Sequence, residues 1–171
     1  MRVLLVDDHV MFRQGLVFLL EDLDARLQFL EAGTCEQALE QLATERVNLV
    51  LLDMHMPGIK NLQALEAILE AAPESNVVVL SGEDRPELIR STIEAGASGF
   101  IPKSSSSDIL VAALQLVLAG GVYLPSNVLN GSIDSSRAAT ADTSQRSAVE
   151  LLSGRQLDVL LRAIKAQPNK V

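Results

Sequence analysis

The chain has one cysteine, Cys35, no tryptophan, and an aromatic content of only 3% over 171 residues. A single thiol excludes an internal disulfide and a cysteine metal cage, and it fits a reducing cytoplasm. For Cys35 itself the plain expectation is a small buried side chain. Basic residues are also scarce: 14 Lys and Arg stand against 22 Asp and Glu, a formal net charge of −8. So acidic a chain excludes nonspecific coating of nucleic acid, which needs a broad basic face to displace counterions. The longest apolar stretch, 109–123, is interrupted by Gln115 and by Gly120-Gly121, well short of the ~20 residues that span a bilayer. "MRVLLVDD" is too short for a secretory signal. The sequence therefore predicts a soluble, cytoplasmic protein.

Hydrophobic residues make up 48% of the chain, so the core is expected to be built from Leu, Val, Ile and Ala, as in a helix-covered sheet. Five short apolar runs, "RVLLV", "LQFLEA", "NLVLL", "NVVVL" and "GFIP", each precede a helix-like pattern. That alternation is the mark of βα units and a mostly parallel sheet. Residues 3–6, 49–52 and 77–80 are apolar throughout, as strands covered on both faces should be. Thr34 to Gln37 fits a capping box, Leu62, Leu65, Ile68 and Leu69 recur at helical spacing, and Gly96 and Gly120 close two further helices. The expected fold is α/β, a five-stranded parallel doubly wound sheet.

From about Gly131 the composition shifts to "GSIDSSRAATADTSQRSA", too poor in large apolar residues to offset the entropy of ordering. Beyond this linker, "LLSGRQLDVLLRAIKAQPNKV" opens with a capping box at Ser153–Gln156 and predicts one amphipathic helix. Residues 1–143 carry 9 Lys and Arg against 20 Asp and Glu, whereas 144–171 carry 5 against 2. A mildly basic tail on an acidic body leaves room for a second function there.

The chemistry gathers at strand ends. Asp7 and Asp8 follow the first strand and Asp53 ends the third. In a parallel sheet all carboxyl ends share one edge, and ligands bind where the strand order reverses; with strands 1 and 3 as neighbours flanking that switch point, Asp7, Asp8 and Asp53 converge there. Three carboxylates converging there repel one another unless a cation joins them. Mg²⁺, which keeps several waters and accepts one or two carboxylates plus phosphate oxygens, suits so open a site. Ser81 ends strand 4 and Lys103 follows strand 5. A carboxylate nucleophile, a metal, an ammonium and a hydroxyl can together hold a phosphoryl group in line, and positioning plus electrostatics supply nearly all the catalysis of its transfer. Taken singly, each has a duller explanation: a solvated turn for the acids, a turn residue for Ser81, a surface charge for Lys103.

These residues, "VDDH", "LLDMHMPG", Ser81 and Lys103, resemble a response-regulator receiver domain over about residues 1–120. The resemblance implies the flavodoxin-like strand order 2-1-3-4-5, and that Asp53 accepts phosphate from a sensor histidine kinase. It further implies that Asp8, Asp53 and the His55 backbone carbonyl bind Mg²⁺, that Asp7 holds a metal-bound water, and that Ser81 and Lys103 contact the phosphoryl oxygens. Phe100 occupies the place of an aromatic that turns together with Ser81, although core packing explains it equally well. Gly58 matches a turn residue free to take positive φ. His55 and Glu83 are expected at the pocket rim, tuning dephosphorylation, and His9 as structural or solvent-facing.

"DDHVMFRQGLVFLL" is similar to receivers of LuxR-type (NarL/FixJ-like) regulators, whose output is a helix-turn-helix DNA-binding domain. The expected organisation is a receiver at 1–121, a linker at 122–148 and, at 149–171, the N-terminal fragment of such an output domain. Val171 precedes any second, groove-reading helix. DNA binding is thus expected only through a complete C-terminal domain, the chain being either a truncated transcription factor or a regulator that works without reading bases. Homodimerisation is another output left open. Two alternatives remain: a receiver that acts only through protein contacts, and a haloacid-dehalogenase-type phosphatase, whose Asp-x-Asp follows the first strand. Neither acid spacing nor resemblance favours an enzyme beyond self-phosphotransfer and slow loss of phosphate at Asp53.

Overall fold

The computed structural model describes residues 1–57, 61–126 and 128. The rest of the expected linker from 129 onward, the helix expected in the tail and Gly58 lie outside the described residues. The elements alternate: β1 (Arg2–Val6), α1 (Val10–Leu23), β2 (Gln28–Ala32), α2 (Cys35–Thr44), β3 (Leu49–Asp53), α3 (Asn61–Ala71), β4 (Asn76–Ser81), α4 (Pro86–Glu94), β5 (Gly99–Pro102) and α5 (Ser107–Leu118). The five strands form one parallel sheet, as the alternation predicts, in the order β2-β1-β3-β4-β5 that the resemblance implies.

The apolar runs form central strands because both of their faces are covered. Along β1, Leu4 and Val6 face a cluster with Leu65, Ile68, Ile89 and Phe100, while Val3 and Leu5 face a second cluster with Leu16, Leu20, Leu114 and Val117. Helices α2, α3 and α4 therefore cover one face and α1 and α5 the other, the doubly wound arrangement. β2 is an edge strand, which is why "QFLEA" tolerates the exposed Gln28 and Glu31. At its end, Thr34 caps α2 by accepting a hydrogen bond from the Gln37 amide at 3.2 Å. The Gln37 side chain reaches one residue past the cap, to the Gly33 amide at 2.9 Å, so the predicted box closes on Gly33 rather than on Thr34. Gly96 (φ 114°) and Gly120 (φ 90°) follow α4 and α5, left-handed positions where a side chain would be strained.

Residues 122–126 and Val128, the start of the stretch expected as linker, pack on the domain. Tyr123 forms a parallel bridge with Gly99, its carbonyl accepting from the Phe100 amide at 3.0 Å, so it covers the open edge of β5. Val122, Leu124 and Val128 join the core cluster of the α4 face; apolar side chains without helical spacing give no sequence sign of this. Among the described residues no helix is long and apolar enough to cross a membrane.

Ile68 is fully buried, whereas Phe18 is 77% exposed. Ile68→Ala should cost about 2–5 kcal/mol of unfolding free energy in urea titrations, and Phe18→Ala should stay within about 0.5 kcal/mol of the parent.

Candidate functional site

The sheet order brings β1 and β3 together, and the groups that follow their carboxyl ends meet there. Asp7 leaves β1 with its amide bonded to the Ala32 carbonyl of β2 at 3.1 Å, and its side chain is 2% exposed. Asp53 ends β3 and is likewise buried, while Asp8 faces outward. Carboxylate oxygens of Asp7, Asp8 and Asp53, with a ring nitrogen of His9, all lie within 4.8 Å of one another.

Lys103 answers this negative charge. Its Nζ donates to Asp7 Oδ2 at 2.7 Å and lies 2.9 Å from Asp53 Oδ2, so one ammonium bridges the ends of two strands. A backbone bond from the Lys103 amide to the Ser81 carbonyl, 2.7 Å, holds the strand ends at that distance. The ammonium also stands 4.6 Å from the centre of the Phe12 ring, a cation–π contact. Burial by itself would lower the Lys103 pKa, but the close contacts and charges of Asp7 and Asp53 outweigh it, and the group titrates above its ordinary 10.5.

The acids are otherwise held by short local bonds. Asp7 Oδ1 accepts from the His9 amide at 2.7 Å, and Asp53 Oδ1 from the His55 amide at 3.1 Å. Asp53 Oδ2 is buried and accepts no hydrogen bond; its contact with Lys103 is charge attraction without bonding alignment. Asp7 and Asp53 thus share one ammonium, Asp8 stands beside them without it, and an oxygen of Asp53 still lacks a donor. That donor set fits a hard divalent cation with oxygen ligands.

Ser81 is fully buried at the end of β4, its hydroxyl accepting from the Glu83 amide at 3.0 Å. Phe100 is fully buried in the α4-face cluster and pairs in register with Val79, two residues before Ser81. At the rim, His55 Nε2 lies 3.1 Å from Glu83 Oε1, and Arg85 binds Glu83 Oε2 through Nε and Nη2 at 2.9 and 2.6 Å. Hydrogen bonds from Arg85 and then from His55 hold the Glu83 carboxyl below the ordinary carboxylate range.

Every residue singled out from the strand ends is therefore on one rim. Four contributors were not. The His9 ring, two-thirds exposed, lies 2.8 Å from Asp8 Oδ1 and 3.2 Å from Asp7 Oδ1. Phe12 underlies Lys103. Arg13, four residues beyond His9 on α1, donates to the Asp7 carbonyl and to Glu31 Oε2, pinning the loop that carries the acids. Arg85 completes the rim. Helical spacing from His9 was the one available signal, and it points to Arg13.

A doubly wound domain with this acidic rim, a bridging lysine and a buried serine has the architecture of a signal receiver. Residues 3–115 match the response regulator receiver domain, and the chain belongs to that family. It is 32% identical over 172 residues to the transcriptional activator protein ExaE of Pseudomonas putida, covering 100% of this chain and 79% of that protein. It is 30% identical over 165 residues to the response regulator UvrY of Escherichia coli strain K12, covering 96% of this chain and 74% of UvrY. A crystal structure of a LuxR family DNA-binding response regulator from Silicibacter pomeroyi superposes with a TM-score of 0.67 and 38% identity, over 74% of this chain and 98% of that one. The chain is a LuxR-type response regulator.

Lys103→Met keeps the stem against Phe12 and removes the ammonium. It should cost about 1.5–3 kcal/mol at pH 7 without divalent cations, the scale of hydrogen bonds to charged groups. Because the folded pKa is raised, this contribution is full below pH 10.5 and disappears as pH climbs through the folded value. The gap between wild type and variant in urea titrations should accordingly narrow at alkaline pH.

Proposed function

We propose that Asp53 is the phosphoacceptor of this regulator and that its phosphorylation by a sensor histidine kinase sets the output. The observation that carries this reading is the buried Asp53 carboxylate, beside a lysine and two further acids, with one oxygen lacking a hydrogen-bond donor. A carboxylate oxygen of Asp53 attacks phosphorus and forms the O–P bond. The N–P bond of the donor phosphohistidine breaks, and the imidazole leaves with the electron pair and takes up a proton. Lys103 and the Ser81 hydroxyl are assigned to the incoming phosphoryl oxygens, spreading their charge.

Asp8, Asp53 and the His55 backbone carbonyl would hold Mg²⁺, with Asp7 acting through a water. When bound, the cation supplies neutralising charge for the carboxylates and the phosphoryl group. His9 and Arg13 hold the Asp7–Asp8 loop, so the acids need little rearrangement.

Added charge at Asp53 draws Ser81 and Lys103 toward it and biases the neighbouring face. Phe100 is assigned to move with Ser81, and the Tyr123 bond to its amide links that movement to the chain leading toward the tail. DNA binding through a complete C-terminal domain is the output supported by the likeness to LuxR family DNA-binding regulators, with homodimerisation as the second route. His55 and Glu83 are assigned to tuning the loss of phosphate.

Incubation with phosphoramidate and Mg²⁺ should add the mass of one phosphate to the wild type and none to Asp53→Asn; the same gain in both would remove Asp53 from its role. Sizing both samples should register a dimer if that is the output. His55→Ala and Glu83→Ala should each change the rate of phosphate loss at least about twofold, the scale of one exposed ion pair, followed by mass after donor removal.

A further inference from the structure

We propose that Arg85 is a positioning residue that latches Glu83 against His55 and so slows entry of a phosphoryl group into the pocket; this rests on the reading of Asp53 and Ser81 given above. His55 and Glu83 stand in equivalent relation to the site. Each lies two residues past a site residue, and each donates its amide to that residue's side chain, His55 to Asp53 Oδ1 at 3.1 Å and Glu83 to Ser81 Oγ at 3.0 Å. Their own side chains meet at 3.1 Å, joining two loops 28 residues apart in sequence across adjacent strand ends.

Arg85 decides how Glu83 is held. Its Nε and Nη2 both bind Glu83 Oε2, which fixes the rotation of the carboxylate and presents Oε1 to His55. Both oxygens are then committed, one to each side of the rim. Arg85 is also the N-cap of α4, directly ahead of Pro86, so the same contact ties the rim to the start of that helix.

The latch opposes one movement in particular. For the Ser81 hydroxyl to turn to a phosphoryl group on Asp53, the Glu83 amide must give up its acceptor and the β4–α4 loop must shift. A Glu83 carboxylate held on both sides resists that shift. The partners are exposed, Arg85 at 69%, Glu83 at 45% and His55 at 40%, so each contact is weak and the latch opens at modest cost. An opposite role is open to the same side chain: as a free cation Arg85 would attract the anionic donor. The two roles differ in sign, since removing an attractor slows uptake and removing a latch speeds it.

Phosphoramidate with Mg²⁺ decides between them. Its N–P bond breaks as Asp53 forms the O–P bond, and ammonia leaves the protonated donor with the electron pair. Arg85→Ala should take up phosphate about two- to fivefold faster than wild type, the scale of one exposed ion pair. Glu83→Gln should match it, and Arg85→Lys, which keeps the ion pair, should stay near wild type. Without donor, hydrogen exchange at the Glu83 amide should be faster in Arg85→Ala. Equal or slower uptake in Arg85→Ala, or unchanged exchange at that amide, overturns the latch. A wild type that gains no phosphate at all refutes the role of Asp53 instead, and the amide exchange still decides whether Arg85 holds the loop.

Discussion

The ammonium of Lys103, set between the carboxylates of Asp7 and Asp53, is the interaction on which the rest of the site depends. A parallel sheet sends the carboxyl ends of its strands to one edge, so acids placed after β1 and β3 are forced together whatever their mutual repulsion. In a buried setting that repulsion is large unless opposite charge is close at hand. Lys103 supplies one positive charge against three negative ones. The cluster is thereby tolerable to the fold and still short of positive charge, which is the condition for recruiting a cation and an anion together.

The scaffold sustains this imbalance. The core clusters on either face of the sheet are almost wholly aliphatic, and the strands beneath the rim are buried along nearly their full length. Strained or repelling groups persist where the surrounding structure over-determines them, and here that support comes from β1, β3 and β4. Local bonds complete the restraint. Asp7 and Asp53 each accept an amide from two residues onward, and Arg13 fastens the Asp7 carbonyl to α1. The acids are positioned by backbone and helix, so little reorganisation is left for the event that uses them.

The same rim connects outward. His55, Glu83 and Arg85 link the loop after β3 to the start of α4, and the stretch around Tyr123 lies along β5 with Leu124 and Val128 against the α4-face core. The loop after Ser81 thus adjoins the α4 N-terminus, and β5 beside it carries the segment that leads toward the C-terminal tail. Both are short, partly exposed contacts, drawn from the weakly held part of the structure as switching elements must be.

The strands, their parallel arrangement and five site residues were legible in the chain itself: Asp7, Asp8, Asp53, Ser81 and Lys103. They are legible because an apolar run ending in a polar residue is a one-dimensional signal, and a parallel sheet converts every such ending into a place on one edge. Gln37 shows the limit at close range, since its residue type predicted a cap but only the backbone decided that the bond goes to Gly33. His9, Phe12, Arg13 and Arg85 show the limit at long range. Apart from the four-residue step from His9 to Arg13, nothing in their spacing says which way a helix turns toward the pocket or where a loop ends, and most of the partners they meet lie on other elements. The sequence by itself determined that the strand-end groups share one rim; the tertiary structure alone decided which further side chains join them and how all of them pair there, because pairing depends on distances between strands and loops that share no local pattern.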